Sequence, residues 1–285
     1  MRLNSPERSQ SRLGPWLPLH VVLTYSSSYE STIIALFPLG TGNALFHSNH
    51  KSSTIPSIYI QGLRTLLRGV PKRLPIFQAN FSPGARLLTN EARDSVPLQN
   101  NIIYGAVVAS YGLHATLVAD SDTTEWRKHG DKRFGMVAQN LLHPADDSKP
   151  HAYKADVILK NGSEERIPRD RHGYILLTLV SKLEKTFTIS PDTEPLDGKL
   201  RIVHFGPLDG NDVMSIMGSA YEGGKHVQSE EVGYRSVEGV RIDFKETDDD
   251  YTWRRVCIDG TIVAVEKGGW VEVSMAQGEV LRLVV

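Results

Sequence analysis

The residues with the clearest chemical potential in this chain form a glycine-rich turn, Gly40-Thr41-Gly42-Asn43. It follows a short apolar run, residues 33–37, and precedes a helix-like segment. A strand that leads through such a turn into a helix presents backbone N–H groups to an anion, and the helix dipole favours negative charge there. The Thr41 hydroxyl could bind a phosphate, and the Asn43 amide could bind a nucleobase or ribose. A plain strand-to-helix turn explains the pattern about equally well.

A second group combines a hydroxyl with two carboxylates. Ser110-Tyr111-Gly112 is followed by Asp120 and Asp122 at the head of a helix-like segment. The two carboxylates could hold an ammonium or hydroxyl group of a substrate. The structural alternative is that Asp122 caps the helix, as the first residue of an Asp122-Thr123-Thr124-Glu125 capping box, while Asp120 is solvated.

Other residue types exclude several kinds of site. The 10 histidines are scattered, without a helical i, i+4 pair or a His-x-His strand pattern, so we expect no metal site. The single cysteine, Cys257, excludes a disulfide framework and a cysteine zinc site; it favours a reducing compartment such as the cytoplasm, and we expect it to be a buried apolar residue. With 32 basic and 33 acidic residues, the net charge of −1 favours no nucleic-acid partner. No window approaches the roughly 18 apolar residues of a membrane span.

The front of the chain is predicted to be a short α/β unit behind a disordered leader, residues 1–30. We expect a strand at 31–37, a helix that starts over 43–48, and a helix over 56–68 ended by Gly69 and Pro71. In the second helix Tyr59, Leu63, Leu66 and Leu67 share a face. Residues 69–100, rich in Pro, Asn and Ser, are predicted to form a linker with one short extended piece at most.

The rest of the chain is predicted to be mostly antiparallel β structure, with the boundary between the two parts near residues 75–80. Helices are expected at 132–142 and 211–221. The remaining pattern has period 2, and turns such as Asp197-Gly198 and Asp259-Gly260 indicate a β-sandwich or barrel. The expected strands are 102–109, 153–160, 174–180, 184–189, 199–205, 240–245, 252–258, 261–266 and 271–273.

Several motifs resemble the diacylglycerol kinase/sphingosine kinase superfamily. Pro38–Leu45 looks like its second nucleotide motif, and Ala44 is closer to the sphingosine kinase version. Ser110–Gly112, Ala119–Asp122 and Trp126–Phe134 are similar to the sphingosine kinase substrate segment. Three further matches follow in order and extend the resemblance over 33–285, most like the fungal lipid-kinase-like group: Ile189–Leu200, Gly223–Val227 and Cys257–Thr261.

The resemblance implies a fold of α/β + β class. A truncated Rossmann-like nucleotide domain, similar to phosphofructokinase and NAD kinase, would occupy 31–78. An antiparallel β-sandwich lipid-binding domain would occupy 79–276, and a strand in 277–285 would return to the first domain. ATP and Mg²⁺ are the implied cofactors. The implied nucleotide-binding residues are Gly40, Thr41, Gly42, Asn43, Asp259 and Gly260.

The resemblance also implies a lipid partner. Ser110, Asp120 and Asp122 would bind it, with Asp120 as the head-group aspartate and Asp122 as the close alternative. Either a sphingoid base or diacylglycerol would serve, and the sphingoid base is favoured because a carboxylate can pair with its ammonium. Peripheral membrane contact follows from a substrate that lives in a bilayer, although no amphipathic anchor stands out in the sequence.

One superfamily motif has no counterpart before the glycine-rich turn. Members carry an upstream Gly-Gly-Asp-Gly-Thr loop that cradles phosphate and supplies the proposed base, and the first 37 residues contain no copy. We therefore assign no catalytic residue and expect a truncated lipid kinase with little or no activity, because phosphoryl transfer depends on a phosphate cradle and Mg²⁺. The alternatives are a non-catalytic lipid-binding or regulatory protein that uses the sandwich, and a gene-model fragment without a separate role.

Overall fold

A computed structural model describes residues 32–40, 42–50, 55, 57–146, 148–278 and 281–285. The helices are α1 Ala44–Asn49, α2 Ile58–Arg68, α3 Leu113–Ser121, α4 Thr124–Arg127, α5 Lys132–Leu142 and α6 Gly210–Ala220. The strands of the first half are β1 Thr32–Ile34, β2 Pro71–Arg73, β3 Phe77–Phe81, β4 Arg86–Thr89, β5 Asp94–Pro97, β6 Ile102–Gly105, β7 Val108–Gly112, β8 Tyr153–Asn161 and β9 Ser163–Arg166. Those of the second half are β10 Arg171–His172, β11 Tyr174–Thr178, β12 Arg201–Phe205, β13 Gly233–Ser236, β14 Gly239–Phe244, β15 Arg255–Ile258, β16 Thr261–Ala264, β17 Trp270–Met275 and β18 Leu281–Val284.

Two large antiparallel sheets form a sandwich. The seven-stranded sheet has the order β10-β8-β14-β17-β3-β6, with β9 beside β8, and the eight-stranded sheet has the order β13-β12-β11-β7-β15-β16-β4-β5. Side chains at alternate positions point between the sheets, as the period-2 pattern predicts. The largest core lies there and includes Phe77, Val157, Val240 and Val271 from one sheet and Ile175, Leu177, Ile202 and Val256 from the other.

Helices cover the outer face of the eight-stranded sheet. Tyr174, Leu176 and Phe205 pack there against Leu142 of α5 and Val213 of α6. Because β11 is covered on both sides, all five of its residues are buried. The continuous apolar run at this strand predicts that double coverage, which is confirmed.

The first and last strands of the described residues meet in a small third sheet with the order β1-β18-β2. β18 runs parallel to β1, with Thr32 opposite Leu281, and antiparallel to β2, with Val284 opposite Pro71. A core that includes Leu36, Phe46 and Leu283 lies against this sheet. Helix α2 approaches it closely at Gly62, where a Cβ would lie 3.2 Å from the Leu36 carbonyl oxygen.

The prediction of a linker over 69–100 is wrong. The segment contains β2, β3, β4 and β5, and β3 lies inside the seven-stranded sheet between β17 and β6. Phe77, Ala79 and Phe81 are buried there and alternate with Gln78 and Asn80. The period of 2 is present in the sequence, but it spans only five residues among Pro, Ser and Asn, so composition obscured it.

Three shorter predictions also differ from the structure. Residues 184–189 form no strand: a single bridge joins Lys182 to Thr188, and the chain turns so that the Leu183 N–H donates to the Phe187 carbonyl. The predicted Asp122 cap is wrong, because the Thr123 hydroxyl oxygen accepts a hydrogen bond from the Trp126 N–H at the start of α4. The strand expected at 31–37 is shorter, since β1 covers only three residues.

The α/β + β fold class is confirmed, and its β part is a sandwich. As a division into domains we propose an α/β unit up to about residue 76, since a boundary at 78 would cut β3. The sandwich then follows to about 276, and the returning strand completes the α/β unit. The predicted leader 1–30, Thr41, Pro56 and Glu279 lie outside the described residues.

Candidate functional site

The glycine-rich turn is closed by its own asparagine. Asn43 is buried in a left-handed conformation, with φ of 48°, immediately before α1. Its side-chain oxygen accepts from the Gly40 N–H at 3.0 Å, and its amide donates back to the Gly40 carbonyl. Gly42 is equally confined, because a Cβ there would lie 2.9 Å from the Leu183 carbonyl oxygen. The described turn therefore uses the Asn43 amide for its own shape, and nucleotide binding by these residues stays a prediction.

Asp259 and Gly260 form the tight turn between β15 and β16, both with positive φ. The Asp259 carboxylate is buried and accepts backbone N–H bonds from Ala106 at 2.7 Å and Val108 at 2.6 Å, and a longer one from Val107. Burial raises the pKa of Asp259 to about 6, although these three donors act in the opposite direction. The carboxylate thus fixes the loop between β6 and β7, and no described cation lies against it.

The two predicted nucleotide segments lie on the same side of the molecule. Asp259 binds the Ala106–Val107 loop, and Ala106 together with Leu45 of α1 lines a cavity of about 10 Å³ between the α/β unit and the sandwich. That volume holds about one water molecule. The described residues therefore do not by themselves fit ATP and Mg²⁺, since the cavity is small and both the Asn43 amide and the Asp259 carboxylate are engaged within the protein.

Ser110 is buried in β7 and pairs with a histidine. Its hydroxyl lies 2.7 Å from Nδ1 of His114, the second residue of α3. Burial lowers the pKa of His114 to about 4, so the imidazole is neutral near pH 7. Cys257 lies opposite Ser110 on the neighbouring strand, and its burial raises the pKa of the thiol to about 12. The prediction that Cys257 is a buried residue is confirmed.

The two aspartates both bind arginines. Oδ1 of Asp120 accepts from Nη1 of Arg255 at 2.7 Å. Asp122 accepts from Nε and Nη2 of Arg127 at 2.8 and 3.0 Å, so both of its oxygens are used. Within the described residues no donor contacts Oδ2 of Asp120, and no acceptor contacts the buried Nη2 of Arg255. Of the two predicted carboxylates, Asp120 therefore keeps more capacity for a ligand.

These predicted substrate residues do not all meet. Ser110 precedes the first turn of α3 and Asp120 lies in its last turn, so about 10 Å of helix, from Leu113 to Asp120, lies between them. Asp120 and Asp122 do lie together at the far end of α3.

A cavity on the sandwich was missed by sequence reasoning. It measures about 350 Å³, at the lower end of the volumes typical of small-molecule sites. It lies between α5, α6 and the edge of the sheets. Its apolar wall consists of Leu113, Leu141, Leu142, Phe205, Leu208 and Val213.

A polar edge borders this cavity. Nε2 of His151 lies 2.8 Å from Oε1 of the buried Glu246, and its ring stacks on Trp253 with centroids 3.9 Å apart. Tyr153 lies beside them, and its hydroxyl donates to Thr116 at 2.8 Å. Burial raises the pKa of Tyr153, and its partner Thr116 lies one helical turn before Asp120 on α3.

No local motif predicts this cavity. Its wall comes from α3, α5, α6 and the strands that carry Tyr153 and Phe205, which are brought together only by the sheet order. The one usable signal is that Leu141 and Leu142 end the apolar stripe of the predicted helix 132–142. Such a stripe indicates that the helix packs against another part of the protein.

The described residues support neither a metal site nor a membrane-spanning helix. Among the described residues no three His, Cys, Asp or Glu side chains are grouped so that they could hold a metal ion. None of the described helices has both the length and the apolar character that crossing a bilayer requires.

Comparison with known proteins gives matches at the level of structure. No family model matches the chain, and no curated protein matches it either. A crystal structure from Bacillus anthracis strain Sterne, assigned as a candidate diacylglycerol kinase, is similar with a TM-score of 0.52 and 13% identity over 88% of this chain and 68% of that one. A second structure with the same assignment from that strain has a TM-score of 0.51 and 10% identity over the same shares. At these identities the similarity shows the fold, which is that of diacylglycerol kinase-like proteins.

Proposed function

We propose that this protein is a lipid kinase of the sphingosine/diacylglycerol kinase type, whose reaction is ATP-dependent phosphorylation of a lipid hydroxyl. The observation that carries the lipid half of this proposal is the cavity of about 350 Å³ with its wall of leucines, Phe205 and Val213. The shared fold and the ordered motifs between residues 33 and 285 support the kinase half.

The residues around the cavity suit an amphiphile. An alkyl chain against the leucine wall would exclude water from apolar surface that is otherwise wet, at about 25 cal/mol for each Å² removed. The polar end of the lipid would then face the edge formed by His151, Trp253 and Tyr153. The apolar wall would hold the alkyl chain of the lipid, and the polar edge would determine which end of the lipid remains near water.

A sphingoid base is the substrate class we favour. Oδ2 of Asp120 is open to an ammonium, while Oδ1 already pairs with Arg255. The buried Nη2 of Arg255 beside it offers a donor for a hydroxyl of the same head group. Diacylglycerol has hydroxyl and ester oxygens but no cation. It would therefore accept a hydrogen bond from Arg255 but form no ion pair with Asp120.

We expect the rate of phosphorylation by this chain to be low. The Asn43 amide and the Asp259 carboxylate are engaged by backbone groups, and no described residue is placed as a base. A retained lipid site with little turnover would make this a lipid-binding protein first, which is the second candidate function.

The experiment measures binding and chemistry separately. The full chain is incubated with radiolabelled ATP, Mg²⁺ and either sphingosine or diacylglycerol in detergent micelles, and binding of each lipid is measured without ATP. We expect saturable binding of sphingosine with slow formation of phosphorylated product. Binding without any product would support the second candidate, and absence of binding for both lipids would overturn the lipid site.

Two substitutions locate the site. Val213→Trp fills the cavity and should weaken lipid binding at least tenfold, whereas Met214→Trp on the exposed side of the same helix should leave it unchanged. Asp120→Asn should weaken binding of sphingosine but not of diacylglycerol, with Asp122→Asn as the matched control. Equal losses for both lipids would contradict the ammonium contact.

A further inference from the structure

Helix α2 exposes most of the apolar face predicted from its sequence, Tyr59, Leu63 and Leu67, together with Ile60. These four side chains are each between 47% and 73% exposed, and Val70, two residues after the helix, is 62% exposed. At 100° per residue these four helical positions cover about 100° of the helix surface. The opposite side holds the buried Gly62 and faces the small core. Soluble surfaces seldom leave so many large apolar side chains side by side, so this face is an interaction surface.

Basic residues flank the apolar face. Arg64 and Arg68 follow it around the helix by about 40 to 80°, and Lys72 and Arg73 continue beyond Val70. All four are exposed, and the sequence has no Asp or Glu between Glu30 and Glu91. Among the described residues no carboxylate pairs with any of these four. An exposed apolar stripe with unpaired cations beside it has the composition of a helix that lies in a bilayer interface.

We propose that α2 and the Val70–Arg73 segment dock this protein on an anionic lipid surface. The apolar side chains would enter the boundary between head groups and acyl chains, and the four cations would lie among the phosphates and carboxylates. Charge complementarity selects this occupant. A second copy would bring four cations against four cations, and the segment 1–31, with three arginines and two glutamates, offers no negative complement. The inference stands on α2 alone and is independent of the lipid kinase activity.

The test uses the full chain with vesicles of phosphatidylcholine, with and without phosphatidylserine, and no ATP. We expect co-sedimentation only with the phosphatidylserine vesicles and a decline as salt rises. An arginine at a membrane surface contributes about fivefold to partitioning, so Arg64→Glu/Arg68→Glu should weaken it at least 25-fold. Leu63→Ser/Leu67→Ser should also abolish it. Arg171→Glu/Lys199→Glu, two exposed cations of the sandwich with the same change in net charge, should leave most of the binding.

A cysteine probe separates the possible occupants. Since Cys257 is fully buried, Leu63→Cys gives one reactive thiol for an environment-sensitive fluorophore. We expect rapid labelling without vesicles and a blue shift when phosphatidylserine vesicles are added. Protection from labelling in the monomer would assign the face to the segment 1–31, and protection that depends on protein concentration would assign it to a second copy. Either result, or equal binding to both kinds of vesicle, would overturn the proposal.

Discussion

The sandwich and the α/β unit of this protein bury their apolar side chains to very different degrees. In the sandwich, Phe77, Val240 and Val271 are closed between two sheets, and helices cover the outer face of one of them. In the α/β unit, three short strands and two helices share one small core, and one whole face of α2 is exposed. Apolar periodicity is equally clear in both regions, so periodicity shows which residues share a face but not what covers that face.

The largest expected effect comes from a paired core and surface substitution. Phe77→Ala removes a fully buried ring of β3 and should lower the free energy of unfolding by about 4 kcal/mol. Leu67→Ala removes a side chain that is 73% exposed and should change it by less than about 0.5 kcal/mol. Urea denaturation of both variants measures the difference. If Leu67→Ala lowers the free energy of unfolding as much as Phe77→Ala does, another part of the protein must cover α2.

Unfolding should depend on pH mainly through the sandwich. His172 is fully buried, and burial lowers its pKa from 6.5 to about 4. The unfolded chain therefore binds more protons between pH about 4 and 6.5, so the free energy of unfolding rises with pH across that range, by up to about 3 kcal/mol for this residue. His172→Gln should flatten the rise, whereas His47→Gln in α1 should alter it little. Urea denaturation at several pH values measures this dependence. If the free energy of unfolding of His172→Gln rises with pH as steeply as that of the unaltered protein, His172 is not its source.

A smaller effect is expected where the two regions adjoin. Asp259→Asn leaves three backbone donors facing one oxygen and an N–H group, which should lower the free energy of unfolding by about 2 kcal/mol. Hydrogen exchange at residues 106–108 should accelerate more than in the core of the sandwich. Asp248→Asn, in an exposed turn, serves as the control. Normal exchange at 106–108 in the Asp259 variant would show that the carboxylate does not hold this loop.

The smallest expected effect compares two helix caps. Thr123 caps α4 beside the sandwich, and Ser57 caps α2, each through a side-chain oxygen that accepts a backbone N–H at 3.3 Å. Thr123→Ala should lower the global free energy of unfolding by about 1 kcal/mol. Ser57→Ala should instead speed hydrogen exchange within α2 without moving the global transition, because α2 is held by so little packing. Equal global losses would remove this distinction between the two regions.

Long periodic elements could be predicted from the sequence because one pattern runs through each of them. The alternation of Val240–Lys245 gave β14, and the apolar run from Tyr174 gave a strand covered on both faces. Asp120 and Asp122 were found because charged residues cluster before a helix. Their arginine partners, Arg255 and Arg127, were not found, since Arg255 is 135 residues from Asp120 and only the strand order joins them.

The features that were predicted wrongly or missed also have local causes. β3 was missed because its five residues carry Gln78 and Asn80 among proline-rich neighbours, while pairing with β17 on one side and β6 on the other stabilises it. Residues 184–189 alternate like a strand, but the chain there folds back on itself and pairs with no neighbour beyond one bridge. The cavity of about 350 Å³ has no sequence motif of its own, because its wall is assembled from six separate segments.

The pairing of β1 with β18 has a consequence for how the chain matures during synthesis. The sandwich is complete once Met275 has left the ribosome, so its two sheets can assemble while the chain is still being made. The α/β unit must wait, because Leu281 to Val284 supply the central strand of its sheet and join Thr32 across almost the entire chain. Residues 32–76 therefore remain without their partner strand until residues 281–284 have been made, so the α/β unit folds after the sandwich that follows it in the sequence.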